Sequence, residues 1–144
     1  MGQTISYEYD VNSNLKLRTS PNGARRKYTY DDDNRLELEE HFLPKTTTAS
    51  KTNTYTYDQR GLLKSYSDGL TSGVYVYDAK GEKTSEAITF GSGINAFTKT
   101  ITRTYEANGL LKSMTYPGAT GTQNYTYDTN NQLKTYKIPG LGTS

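Results

Sequence analysis

The chain contains no cysteine and no tryptophan. Without thiols it can form neither a disulfide nor a thiolate metal site, and nothing in the sequence reports a redox compartment. Leu, Ile, Val and Phe supply only 23 of the 144 residues, too few for a thick aliphatic core and a share that reads as disorder when net charge is high. Net charge here is only +2, with 17 Lys and Arg set against 15 Asp and Glu. These charges are scattered, and Arg25-Arg26-Lys27 is the one basic cluster, so the stripe expected of a nucleic-acid binder is missing. No apolar run approaches the ~20 residues of a membrane span. No stretch holds a helical apolar period, and Met1-Gly2-Gln3-Thr4 does not open a secretory signal peptide.

Tyrosine fills the deficit: there are 14, and eleven fall into six copies of one phrase, aromatic–x–Tyr–Asp–x–x–Gly–x–Leu. The copies are Tyr7-Glu8-Tyr9-Asp10 with Ser13 and Leu15, Tyr28-Thr29-Tyr30-Asp31 with Asn34 and Leu36, and Tyr55-Thr56-Tyr57-Asp58 with Gly61 and Leu63. Then follow Tyr75-Val76-Tyr77-Asp78 with Gly81, the degenerate Arg103-Thr104-Tyr105-Glu106 with Gly109 and Leu111, and Tyr125-Thr126-Tyr127-Asp128 with Asn131 and Leu133. A fixed internal period means one supersecondary unit repeated along the chain.

The phrase reads as a β-hairpin. Two tyrosines two apart share one face of a strand, and the residue between them belongs to a wetter face. The Asp carboxylate can fold back onto backbone N–H groups two residues on. The residue three beyond it is Gly or Asn in five units, and these enter the left-handed region at least cost. A type I turn followed by a left-handed residue and a bulge therefore suits every unit except the one with Ser13. Leu15 with Leu17, and Leu36 with Leu38, are expected to share the tyrosine face of the strand beside them. The second-position tyrosines should be more buried than the residues before them, in a packed face that is thin, aromatic and half dry.

Those tyrosines are separated by 21, 27, 20, 28 and 22 residues, so short and long units alternate and the period is a pair of roughly 48. Short connections carry tight-turn residues: Ser20-Pro21-Asn22-Gly23, Ser67-Asp68-Gly69 and Pro117-Gly118-Ala119-Thr120-Gly121. Long ones run from Phe42 to Thr48 and from Phe90 to Phe97. The expected architecture is all-β: an antiparallel ribbon of successive hairpins, about twelve strands in a single array over 1–144, curved and twisted. With no second layer in its own sequence, the sheet needs something beyond itself, and its terminal strands, Ile5–Tyr9 and Leu133–Ile138, invite self-association.

The repeated phrase closely resembles the YD repeat, also called the RHS repeat, of bacterial polymorphic-toxin and wall-associated proteins, insecticidal toxin-complex components and animal teneurins. The resemblance covers nearly the whole chain, from about Ile5 to Tyr136. It implies hairpins wound as a spiral strip into a hollow β-shell, which in the bacterial toxins encloses a C-terminal toxic domain. It also implies a secreted or cell-surface location as part of a larger parent protein. Arg103, Glu106 and Lys83 depart from the pattern, six units are few for a closed shell, and the family's aspartate-based self-cleavage signature has no match.

Nothing here calls for a cofactor or a metal. Asp10, Asp31, Asp58, Asp78 and Asp128 recur at every turn but one, which fits capping better than catalysis. Asp31-Asp32-Asp33-Asn34 lacks the ligand spacing of a calcium loop, and His41, the only histidine, has no Cys partner. Leu43-Pro44-Lys45-Thr46-Thr47 reads as a proline-broken loop, and Asn124-Tyr125-Thr126 as a sequon within a repeat strand. Two functions remain open: a structural segment that encloses, shields or displays another polypeptide, or a glycan- or surface-binding face on which tyrosines stack against sugars.

Overall fold

In a computed structural model that describes residues 4–118 and 121–137, the chain forms twelve antiparallel β-strands and a single short 3-10 turn. The strands are β1 (Ser6–Tyr9), β2 (Leu15–Thr19), β3 (Arg25–Tyr30), β4 (Leu36–Phe42), β5 (Lys51–Tyr57) and β6 (Leu63–Ser67). They continue as β7 (Thr71–Tyr77), β8 (Lys83–Phe90), β9 (Phe97–Tyr105), β10 (Leu111–Thr115), β11 (Gln123–Tyr127) and β12 (Leu133–Lys137). The chain divides into two compact units, Met1–Ser72 and Gly73–Ser144. In each, the strands lie side by side in chain order, β1 to β6 and β7 to β12.

All six phrases form hairpin turns of one design. In the third, Gly61 N–H donates to the Asp58 carbonyl at 3.0 Å and Asp58 N–H to the Leu62 carbonyl at 2.8 Å, with Gly61 at φ +82. That is a type I turn closed by a bulge, whose extra twist matches the strands. Ser13 does not break the rule: it takes φ 67, as Asn34 takes 60 and Asn131 takes 62. A left-handed residue with a side chain costs roughly 1–2 kcal/mol, and the bonds that Asp10 collects across the turn hold Ser13 there. Ser67-Asp68-Gly69 closes differently. Asp68 N–H donates to Thr71 at 3.0 Å across a two-residue loop, and the positive φ of 86 falls on Gly69 and not on Leu70, which is a type II′ turn.

Cross-strand register assigns the faces, because residues directly opposite project the same way. Tyr30 opposes Leu36, but the register shifts beside it, and Leu38 opposes Thr29; likewise Leu17 opposes Glu8. Leu17 and Leu38 therefore lie on the opposite face from the tyrosines, contrary to the expectation from simple alternation, because a bulge at each tyrosine consumes one residue. That second face is largely hydroxylic. Thr56 pairs with Ser65 at 2.6 Å, Thr104 with Ser113 at 2.6 Å and Thr126 with Thr135 at 2.5 Å.

Among the described residues no hydrophobic side chain is fully buried. Tyr30, Tyr57, Tyr77, Tyr105 and Tyr127 are half-buried and follow exposed residues, as expected of them. Tyr9 is the exception: it is 61% exposed, because β1 has no strand of an earlier unit beside it. The proposed last strand reaches Lys137; Ile138 and Pro139, like Ala119 and Thr120 of the last short connection, lie outside the described residues.

Candidate functional site

The recurring groups of the phrase meet in two places, the turn and the junction between consecutive units. In the turn, one carboxylate oxygen of the Asp accepts from two backbone N–H groups. Asp10 takes Asn12 and Asn14 at 2.9 and 2.8 Å, and Asp31 takes Asp33 and Arg35 at 3.0 and 2.9 Å. Asp58 takes Arg60 and Leu62 at 2.9 and 3.0 Å, Asp78 takes Lys80 and Glu82 at 2.9 Å each, and Asp128 takes Asn130 and Gln132 at 2.9 Å each. Each carboxylate thus satisfies donors that the bulge leaves without a ladder partner.

These bonds favour the ionised form. The Arg35 N–H holds the Asp31 carboxyl below its ordinary range, and the Glu82 N–H does the same for Asp78. Desolvation pushes Asp10 and Asp58 up, but the backbone donors of Asn14 and Leu62, with further bonds, outweigh it and the net direction is down. Asp68 is lowered most clearly, by the N–H groups of Thr71 and Leu70 and by Lys51. Glu82 moves the other way. Desolvation and the neighbouring Asp78 carboxylate raise it.

At four junctions the second tyrosine of a repeat reaches back to the preceding repeat. Tyr30 Oη donates to the Leu15 carbonyl at 3.0 Å and Tyr57 Oη to the Leu36 carbonyl at 2.9 Å. Tyr105 Oη donates to the Lys83 carbonyl at 2.9 Å and Tyr127 Oη to the Leu111 carbonyl at 2.8 Å. The acceptor is each time the residue in the leucine position of the phrase. Lys83, which replaces that leucine, keeps the carbonyl and lays its ammonium 4.3 Å from the Tyr75 ring centre. Glu106, in the Asp position, keeps the backbone turn, with Gly109 N–H donating to its carbonyl at 2.9 Å.

The first tyrosines play a different part. Tyr125 stacks on Tyr136 with centroids 6.3 Å apart, and Tyr55 opposes Tyr66. Tyr28 opposes Glu39, while Tyr7 opposes Arg18 on the first strand pair and is 49% exposed. Tyr75 carries the Lys83 contact. Gly61, Gly81 and Gly109 supply the left-handed turn positions, at φ 82, 87 and 87.

Two residues outside the phrase also belong to the tyrosine face. Glu39 accepts from Asn53 Nδ2 at 2.9 Å and lies 3.7 Å from Arg26 Nη1. His41 Nε2 sits 2.9 Å from Glu39 Oε1 but without the alignment of a hydrogen bond. Glu86 lies 3.4 Å from Arg103 and 3.9 Å from Lys83. The signal for them was present, since Glu39 and Glu86 stand at the same distance beyond Tyr30 and Tyr77. Glu39 with Arg26 and Glu86 with Arg103 are ion pairs between neighbouring strands, and no group of three or more metal-ligating side chains occurs among the described residues.

The folded hairpin array is shared with large toxin-complex proteins. A Photorhabdus luminescens Tc holotoxin pore carrying a TccC3-D651A mutation superposes with a TM-score of 0.72 at 20% identity, over 90% of this chain and 8% of that one. TcdB2-TccC3-Cdc42 gives 0.74 at 18% identity over 98% of this chain and 7% of that one. TcdB2-TccC3 gives 0.75 at 15% over 94% and 8%. This chain thus spans less than a tenth of the chains it matches, and at these identities the likeness is one of fold. No protein-family model and no curated protein matches the sequence.

Proposed function

We propose that the chain is a non-catalytic structural segment of a YD-type β-shell, one array of six units in three pairs, whose parent protein is secreted and encloses or shields another polypeptide. The observation that carries this reading is the use of the repeated polar groups. Turn carboxylates are committed to their own backbone and junction tyrosine hydroxyls to the preceding unit, in both compact units. Groups spent on the fold in one repeat after another, five turn carboxylates and four junction tyrosines, are not a unique reacting constellation. The same bonds weigh against a sugar-stacking face, because tyrosine hydroxyls tied to carbonyls have no free donor for a glycan. The fold shared with toxin-complex chains supports a place in a shell.

A photo-activated cross-linking residue tests it, placed in the parent protein at Ile101 on the tyrosine face and separately at Thr102 on the hydroxylic face. Capture of an enclosed polypeptide from one face only is expected. Capture from neither, or equally from both, overturns the enclosing role.

A further inference from the structure

One row of side chains sets basic groups against one another. Across the adjacent strands β2 to β5, Arg18 stands opposite Arg26, Arg26 opposite His41 and His41 opposite Lys51. Each of these strands is paired on both sides, so the row lies within the sheet and not at an edge. Residues directly opposite project from the same face, and like charges so placed destabilise a sheet. On the next line of the same strands the chain does the reverse, with Lys27 opposite Glu40 and paired to it at 3.2 Å. Nor does the row belong to the repeat. Counted from the leucine position and the next second tyrosine, the places of Arg18 and Arg26 are taken by Tyr66 and Gly73, and by Met114 and Gln123. Those of His41 and Lys51 are taken by Ile88 and Lys99. Groups that recur serve the fold, whereas an unfavourable contact confined to one place marks a site.

The fold neutralises only part of this charge. Lys51 is matched by Asp68 at 3.2 Å, and the largely buried Glu39 lies 3.7 Å from Arg26 and beside His41. Arg18 has no carboxylate partner among the described residues; its Nη1 donates to Ser20 Oγ at 3.1 Å. The Arg26 side chain is half exposed. Beside this pair lies a cleft of about 260 Å³ lined by Arg18, Arg25, Arg26, His41, Ser20 and Ser50, and no carboxylate lines it. Arg25 is committed elsewhere, with Nη2 donating to the Thr46 carbonyl at 2.6 Å. The guanidiniums of Arg18 and Arg26 remain, and two such planar forks side by side match the oxygens of a tetrahedral oxyanion. We propose that this cleft binds a phosphate-type oxyanion, free or as a monoester, held between Arg18 and Arg26. The Ser20 hydroxyl, which accepts from Arg18, has its own proton to donate to it. The bound charge offsets the repulsion within the row. Because the excess charge is confined to one opposed pair, the cleft suits a single oxyanion and not the backbone of a polymer. This site goes beyond the structural role and does not rest on it.

Inorganic phosphate titrated into the chain at constant ionic strength, with chloride as the balancing anion, tests the site through backbone amide chemical shifts. Saturable shifts are expected at Ser20, Ala24, Arg26 and His41, and none at Ile88 and Lys99. Arg18→Gln and Arg26→Gln should each weaken binding about tenfold, as the loss of one charge-assisted hydrogen bond would. Lys99→Gln should leave it unchanged. Each arginine variant relieves an opposed pair of like charges, so its thermal midpoint without phosphate should be no lower than the parent's. Phenyl phosphate in place of inorganic phosphate separates the two sources: tighter binding of the ester assigns a monoester, and equal or weaker binding the free anion. Shifts that do not saturate, shifts equally large around Lys99, or binding that survives both substitutions overturns the site. Loss of binding accompanied by a lower thermal midpoint also overturns it, because the arginines would then serve the fold.

Discussion

Tyr57 donates its hydroxyl to the carbonyl of Leu36 at 2.9 Å, while the Arg35 guanidinium lies 4.9 Å from the centre of its ring. The same guanidinium is held by Asp31 at 2.8 Å and by Asp33 at 2.9 Å. One residue of the third unit thus fastens onto the bulge and the turn of the second. With no fully buried hydrophobic side chain among the described residues, junctions of this kind stand in for a core.

Tyr57→Phe keeps the ring and leaves the Leu36 carbonyl without its donor, and is expected to cost about 1 kcal/mol. Tyr57→Ala also removes the packed ring and the cation–π contact, and should cost ~2–4 kcal/mol. Thr56→Ala, on the hydroxylic face and exposed, should cost less than about 1 kcal/mol. Urea melts of the three variants check the order; equal losses for Tyr57→Ala and Thr56→Ala would mean the tyrosine face is not the packed one.

Ser13 is a non-glycine residue at φ 67 where three other units have glycine. Ser13→Gly should therefore raise stability by about 0.5–1 kcal/mol, and Gly61→Ala, at φ 82, should lower it by roughly 1–2 kcal/mol. Thermal midpoints of the pair should move in opposite directions. A loss of stability in Ser13→Gly would contradict the turn geometry.

Acid should loosen the turns. The carboxyls of Asp10, Asp31, Asp58, Asp68 and Asp78 are all lowered in the folded chain. A depressed folded value contributes stability that is fully present above the unfolded value, near pH 4, and lost as pH falls through the folded values. Thermal midpoints measured between pH 2 and 6 should fall only below about pH 4, and Asp68→Asn should flatten that fall. An unchanged slope in Asp68→Asn would show that its bonds to Thr71 and Leu70 are not what acid breaks.

Glu82 has the opposite sign. Its carboxyl is raised by desolvation and by Asp78, so its ionised form is disfavoured in the fold and the penalty grows as pH rises through the folded value. Glu82→Gln should stabilise the chain at pH 7, with the gain shrinking towards pH 4. A variant less stable than the parent at pH 7 would show that the Glu82 charge is needed in the fourth turn.

The hairpins and their turn positions were legible in the chain because each depends on residues close in sequence. An Asp three residues before a Gly or Asn carries its own turn chemistry, and Tyr-x-Tyr carries its own face. The position of Leu38 was not legible. Alternation places it with Leu36, but the register shift beside Tyr30 turns it towards Thr29, and a bulge is a property of two paired strands. Ser13 failed a propensity test and passed in the fold because the Asn12 and Asn14 N–H groups, both bound to Asp10, fix the backbone around it.

By itself the sequence determined a β-hairpin array, since periodicity of two and local turn residues act within a few positions of one another. Only the tertiary structure decided what each tyrosine hydroxyl does. The carbonyls of Leu15, Leu36, Lys83 and Leu111 accept those hydroxyls, and a backbone carbonyl has no signature in the residue type that bears it. For the same reason Lys83 could replace leucine without loss of the junction, and Tyr9, identical in sequence to the tyrosines that follow it, was left exposed. A hydrogen bond to the backbone of a neighbouring strand exists only once that strand is in place.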